Sequence, residues 1–214
     1  MKKGFRIERA VITITVSIGV LLVLFQFVVN RSLWRDEAML ALNIINKSHF
    51  ELLKPLDFLQ VAPVLFLQIE KVFSVLIPNS EYGLRLFPLI SYLLSLFFFY
   101  KIIRLLHSNF NAIIFSISLF VFNATLIYYA SEVKQYMTDV LVLTAAYYFI
   151  LKKYRSEKNE YYFLGAVGAI SIFLSNVAPI ILFTAGIYLL HKSWQTDKQR
   201  VLPILGVSFI WAAT

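Results

Sequence analysis

Long stretches without Asp, Glu, Lys or Arg recur along the chain, and short basic clusters separate most of them. Residues 10–30 form 21 uncharged positions, enough at 1.5 Å per residue to cross a bilayer. Arg85 and Lys101 enclose a second apolar core, which snorkelling ends extend to a span over 82–106. The uncharged run between Arg104 and Glu132 predicts a third span over 110–128, and 133–151 reads as a fourth, its apolar core beginning after Asp139. Residues 161–191 lack these charges over 31 positions; one straight helix would be about 46 Å long against a core of about 30 Å. Both flanks are basic, with Lys152, Lys153, Arg155 and Lys158 before and Lys192, Lys198 and Arg200 after. Two short helices, 161–175 and 177–191, put both flanks on one side, broken at Ser175-Asn176-Val177-Ala178-Pro179. A seventh span begins over 201–214.

Residues 31–84 mix charge with apolar runs. Within them 61–77 is apolar enough to resemble a span. Glu70 and Lys71 would then sit inside the bilayer, at about 2.5–3.5 kcal/mol each on insertion scales. The stretch is read instead as one large outer loop whose amphipathic helices, 36–46 and 64–77, lie at the interface. The expected fold is all-α: a polytopic membrane bundle of six to seven spans with a large first loop.

Composition agrees. Hydrophobic residues make up 59% and charged residues 15%, against about 25% charged in a soluble domain. A soluble globule cannot hide that much apolar surface, and disorder or a disulfide scaffold is excluded, there being no Cys. The net charge of +8 would suit nucleic acid, but its distribution speaks for membrane orientation. With the N-terminus in the cytoplasm, the inner segments hold 13 Lys+Arg and 4 Asp+Glu, and the outer ones 7 and 8, as the positive-inside rule requires. His49, His107 and His191 have no metal-ligand spacing.

Three outer clusters carry candidate chemistry. Asp36 and Glu37 stand just after the first span, beside Trp34. They read either as helix-capping acids or as a carboxylate pair at a dry interface, whose raised pKa would suit proton abstraction. Glu132, Tyr136 and Asp139 are spaced to share one helical face, with Lys134 and Gln135 elsewhere on the same turns. This group is either an interfacial belt or the wall of a polar pocket, its acids and amides binding hydroxyls and Lys134 a phosphate. The third cluster is Gln60-Val61-Ala62-Pro63, then Glu70-Lys71, then Glu81 to Arg85. Arg85 heads the second span on the outer side, placed to pair with Glu81 at i, i+4 or to meet a lipid phosphate. No Gly-rich phosphate loop, nucleophile elbow or metal signature is present.

Four stretches in order resemble the GT-C superfamily of membrane glycosyltransferases, most nearly the bacterial relatives of protein O-mannosyltransferases and aminoarabinose transferases. They are Trp34-Arg35-Asp36-Glu37-Ala38, Gln60-Val61-Ala62-Pro63, Ser80-Glu81-Tyr82-Gly83-Leu84-Arg85-Leu86-Phe87-Pro88 and Tyr129-Ala130-Ser131-Glu132-Val133-Lys134-Gln135-Tyr136. The resemblance implies transfer of a sugar from a polyprenyl-phosphate donor on the extracytoplasmic face of a bacterial inner membrane. The acceptor would be a lipid, a glycan or a protein. Asp36 would be the general base of an inverting displacement, and Arg85 or Lys134 would meet the departing phosphate. Glu37 and Glu132 would orient groups or hold a divalent metal where a relative uses one, and Gln60 and Tyr136 would line the substrate site. Such proteins usually carry further spans, so the chain reads as the N-terminal portion of one. A flippase for lipid-linked sugars would require internal repeats and polar residues at mid-bilayer; no repeat is seen. An inactive membrane scaffold would need neither and differs from the enzyme in being indifferent to Asp36.

Overall fold

The structure is a computed structural model and describes residues 2–78, 81–155, 161–196 and 201–213. The described residues form ten α-helices and no strand. In chain order they are α1 (Lys2–Val29), α2 (Arg35–Asn46), α3 (Val64–Leu76), α4 (Glu81–Leu106), α5 (Phe110–Val121), α6 (Ala124–Tyr129), α7 (Tyr136–Arg155), α8 (Tyr161–Leu174), α9 (Ala178–Thr196) and α10 (Val201–Ala213). Two of them, Arg6–Val29 within α1 and Glu81–Leu106, are long and apolar enough to cross a membrane. Phe110–Val121, Phe163–Leu174 and Val201–Trp211 are apolar but shorter, so helix length alone does not carry the expected count of six to seven spans.

Three apolar clusters hold the helices together. α4 lies against α7 and, with α1 and α5, buries Tyr92, Ile117, Val121 and Met137. The second half gathers α7 to α10 around Leu182, Ala185, Ile204 and Trp211. The outer loop has its own core, where Leu40 and Ile44 of α2 meet Phe66 and Leu67 of α3 and Leu84 of α4. The amphipathic patterns over 36–46 and 64–77 thus fold as α2 and α3.

Several expectations need correcting. The segment 110–128 is not one helix. It breaks at Phe122 and Asn123, because the Asn123 side chain accepts from the Leu126 backbone N–H at 3.1 Å and starts α6; Asn competes with helix continuation in this way. Glu132 does not share a helical face with Tyr136 and Asp139. Residues 130–135 form a turn, and α7 begins at Tyr136. The break at 175–177 does form, though α9 runs on to Thr196. Ser80, Lys158, Lys198 and Arg200 lie outside the described residues.

Glu70 lies on the buried face of α3. It is fully buried, and neither carboxylate oxygen has a hydrogen-bond partner. Burial pushes its carboxyl well above the usual range. Lys71, by contrast, turns outward and donates to the Ile45 carbonyl at 2.8 Å.

α1 meets α5 at Gly19, where a Cβ would overlap the side chain of Val121. Gly19→Val should therefore force the two helices apart, costing about 1–3 kcal/mol as overpacked cores do. A lowered unfolding midpoint of the purified protein in detergent would show it; an unchanged midpoint would mean that the contact gives way freely.

Candidate functional site

The site assembles where the C-terminal end of α1, the start of α2, the strained turn before α3 and the turn before α7 converge. Its centre is Glu37. The side chain has no solvent exposure and accepts four hydrogen bonds. Two come from Arg31, Nη1 at 2.8 Å and Nη2 at 3.2 Å. The others come from the backbone N–H of Trp34 at 3.2 Å and of Val133 at 3.0 Å. The capping reading of the acidic pair is thus met in part by Glu37, which reaches back to the residue preceding the helix. It also ties α2 to a turn 96 residues away. A buried carboxylate is tolerated when paired and hydrogen-bonded in this way.

Asp36, one residue earlier, points about 100° away on the helix and stays 41% exposed. Its Oδ2 lies 2.8 Å from Lys134 Nζ, and its Oδ1 accepts from Gln60 Nε2 at 3.0 Å. Lys134 Nζ also donates to Gln60 Oε1 at 2.8 Å, closing a ring of three side chains drawn from three separate segments. The Lys134 and Gln60 hydrogen bonds hold the Asp36 carboxyl below its usual range. This reverses the expectation of a raised value: the carboxylate is partly exposed, and Lys134, expected elsewhere on its turn, faces it.

The backbone explains how Gln60 arrives there. Phe58 and Leu59 both adopt left-handed conformations, with φ of 60° and 55°, which cost energy for residues other than glycine. Asn43 clamps the turn: its Oδ1 accepts from Asp57 N at 2.8 Å, and its Nδ2 donates to Asp57 O at 3.2 Å. Lys47 pairs with Asp57 at 3.0 Å. With Asp57 fixed, the strained pair turns the chain so that Gln60 meets Asp36.

Glu132 accepts from Trp34 Nε1 at 3.2 Å. Its Oε2 is buried without a partner, and desolvation raises its carboxyl above the usual range. Arg85 is fully buried and donates to the Arg31 carbonyl. Its Nη2 lies 3.5 Å from Glu81, so the expected i, i+4 pairing forms, and its Nε and Nη1 lack hydrogen-bond partners. Buried there, Arg85 supports Arg31 from behind and has no surface at the opening. The Tyr136 ring lies tilted against that of Tyr129, their centroids 4.8 Å apart.

All seven sequence candidates therefore lie in one neighbourhood: Asp36, Gln60 and Lys134 form the ring of side chains, Glu37 and Glu132 are buried beside it, Tyr136 begins α7, and Arg85 lies behind Arg31. Sequence reasoning missed Arg31, which neutralises Glu37 and lies 4.2 Å over the Tyr128 ring. The available signal was its position as the first charge after the long apolar run. A metal seat on Glu37 and Glu132 does not fit. Four donors engage Glu37, and no group of three or more His, Asp or Glu suited to a metal occurs among the described residues.

A family model described as dolichyl-phosphate-mannose-protein mannosyltransferase matches residues 60–214. That range takes in Gln60, Arg85, Glu132, Lys134 and Tyr136 and starts after Asp36 and Glu37. No curated protein and no solved structure matches the chain.

Two outcomes follow from this geometry. Glu37→Ala leaves Arg31 and Arg85 without their buried counter-charge and should lower stability by about 3–5 kcal/mol, read as a shifted unfolding curve; a shift under about 1 kcal/mol would deny Glu37 its structural weight. Lys134→Met removes the hydrogen bond that lowers Asp36, so the protonation midpoint of Asp36 should rise. Because the folded value is depressed, the pair stabilises the protein above the ordinary carboxylate range, and that stability is lost as pH falls through the depressed value. Carboxylate-labelled NMR of wild type and variant would read both midpoints; identical midpoints would show that Lys134 does not govern Asp36.

Proposed function

The chain belongs to the dolichyl-phosphate-mannose-protein mannosyltransferase family, and from that premise we propose that it transfers a sugar from a polyprenyl-phosphate-linked donor to an acceptor hydroxyl, with Asp36 as general base. Membership makes it a membrane glycosyltransferase of the GT-C type. The donor is a lipid, so a reaction site at the membrane surface suits it. The observation that carries the assignment to Asp36 is the contrast among the three acids. Glu37 is sealed and engaged by four donors. Glu132 is buried. Asp36 alone of the three keeps an open face, and its depressed pKa keeps it ionised at neutral pH.

In this reading the acceptor hydroxyl lies against Asp36. Its oxygen bonds to the anomeric carbon, its proton passes to the carboxylate, and the bond from that carbon to the phosphate oxygen breaks with its electron pair. Attack opposite the departing phosphate inverts the anomeric centre. The leaving polyprenyl phosphate needs positive charge as it departs, and Lys134, beside Asp36, supplies it. Gln60, bonded to both, keeps base and cation in register. Arg85, sealed behind Arg31, acts through it rather than on the phosphate. We further assign the site to the extracytoplasmic face and the membrane path to six or seven crossings, on the strength of the basic residues at the opposite ends of the helices.

The test compares wild type with Asp36→Asn at equal folded amount, using radiolabelled polyprenyl-phosphate sugars and a membrane extract as acceptor. Transfer in the variant should fall by about 100-fold or more, the scale of general-base loss. Equal transfer in both would remove Asp36 from the chemistry.

A further inference from the structure

The opposite end of the bundle holds a cavity of about 320 Å³ between α1, α4 and α5. Six polar side chains line it: Glu8, Arg9 and Thr13 of α1, Tyr100 and Arg104 of α4, and Ser108 before α5. Thr13 lies one turn beyond Arg9, and Ile12 one turn beyond Glu8, so two adjacent rows of α1 border the cavity. Arg104 and Glu8 border the same space, yet they form no ion pair with each other or with any other described residue. Opposite charges facing one cavity without meeting leave room for a ligand that carries both.

The depth of the cavity identifies the setting. Arg85 and Arg104 lie 19 residues apart on α4, about 28 Å along the axis and close to the thickness of a bilayer core. With the Asp36 site at one head-group level, this cavity falls at the other. Apolar residues adjoin the polar lining, Ile12 on α1 and Phe110 and Ile113 on α5, so acyl chains have a surface to follow.

We propose that this cavity binds the head group of an aminophospholipid, the arginine side taking the phosphate and Glu8 the ammonium. A guanidinium matches phosphate oxygens in geometry as well as charge. A purely anionic lipid would leave Glu8 opposing it, whereas a zwitterionic head group carrying a primary amine satisfies both ends.

The experiment uses the purified chain, wild type, Arg104→Gln and Glu8→Gln, each exposed to equimolar phosphatidylethanolamine and phosphatidylglycerol, with bound lipid counted by native mass spectrometry. Wild type should favour phosphatidylethanolamine by about fivefold, the scale of an exposed ion pair. Arg104→Gln should lose retention of both lipids, and Glu8→Gln should retain lipid but lose the preference. Glycerophosphoethanolamine and inorganic phosphate serve as soluble competitors, the first being expected to displace lipid better. Equal retention and equal preference in all three proteins would overturn the proposal, as would displacement by inorganic phosphate as effective as by the amine-bearing head group. Circular dichroism of each variant separates lost binding from lost folding.

Discussion

Burying Glu37 constrains everything around it. An ionised carboxylate taken out of water costs several kcal/mol unless its lone pairs are filled, and here Arg31 and the backbone N–H groups of Trp34 and Val133 fill them. Those donors come from the end of α1, the start of α2 and the turn before α7. Apolar packing could tolerate a small slip among these pieces, but a buried ion pair with directed hydrogen bonds cannot. The register of α2 is therefore fixed, and the neighbouring Asp36 can point only toward the opening. One acid holds the scaffold while the other keeps an exposed face.

This division of labour was half legible in the chain. Adjacent Asp36 and Glu37 must face different ways on a helix, so one inward and one outward acid followed from helical geometry. Which acid went inward depended on Arg31 and on the Val133 N–H, a partner 96 positions away that no local pattern reveals. The convergence of Gln60 was equally hidden. It rests on Phe58 and Leu59 at positive φ, which composition argues against, and on Asn43, which holds Asp57 from both sides. The misjudged charge environment of Asp36 has the same origin: burial could be guessed from Trp34 nearby, but Lys134 turned inward because residues 130–135 are a turn rather than a helix.

Helical periodicity served the outer loop well, since α2 and α3 each bury one face against the other. It served the membrane segments less well, because a uniformly apolar run carries no signal for where a helix stops. Asn123 stops one by capping the next, and the 175–177 break was visible because Ser175, Asn176 and Pro179 cluster there. Glu70 marks the limit of charge counting. Burial pushes its carboxyl well above the usual range, against the charged form that hydropathy scales assume.

The Lys134–Asp36 pair links scaffold to chemistry under the proposed mechanism. While Lys134 holds Asp36, the carboxylate is ionised but a weak proton acceptor. A phosphate at the opening competes for the same ammonium, and as Lys134 turns toward it the hydrogen bond lowering Asp36 is lost. The carboxylate then gains proton affinity at the moment an acceptor hydroxyl must be activated. Gln60 keeps its bond to Asp36 through this exchange, because its amide Nε2 donates to Asp36 while its Oε1 accepts from Lys134. The base is thus strong only when a donor is bound, so the pairing that weakens Asp36 at rest also couples it to the substrate whose bond is to be broken.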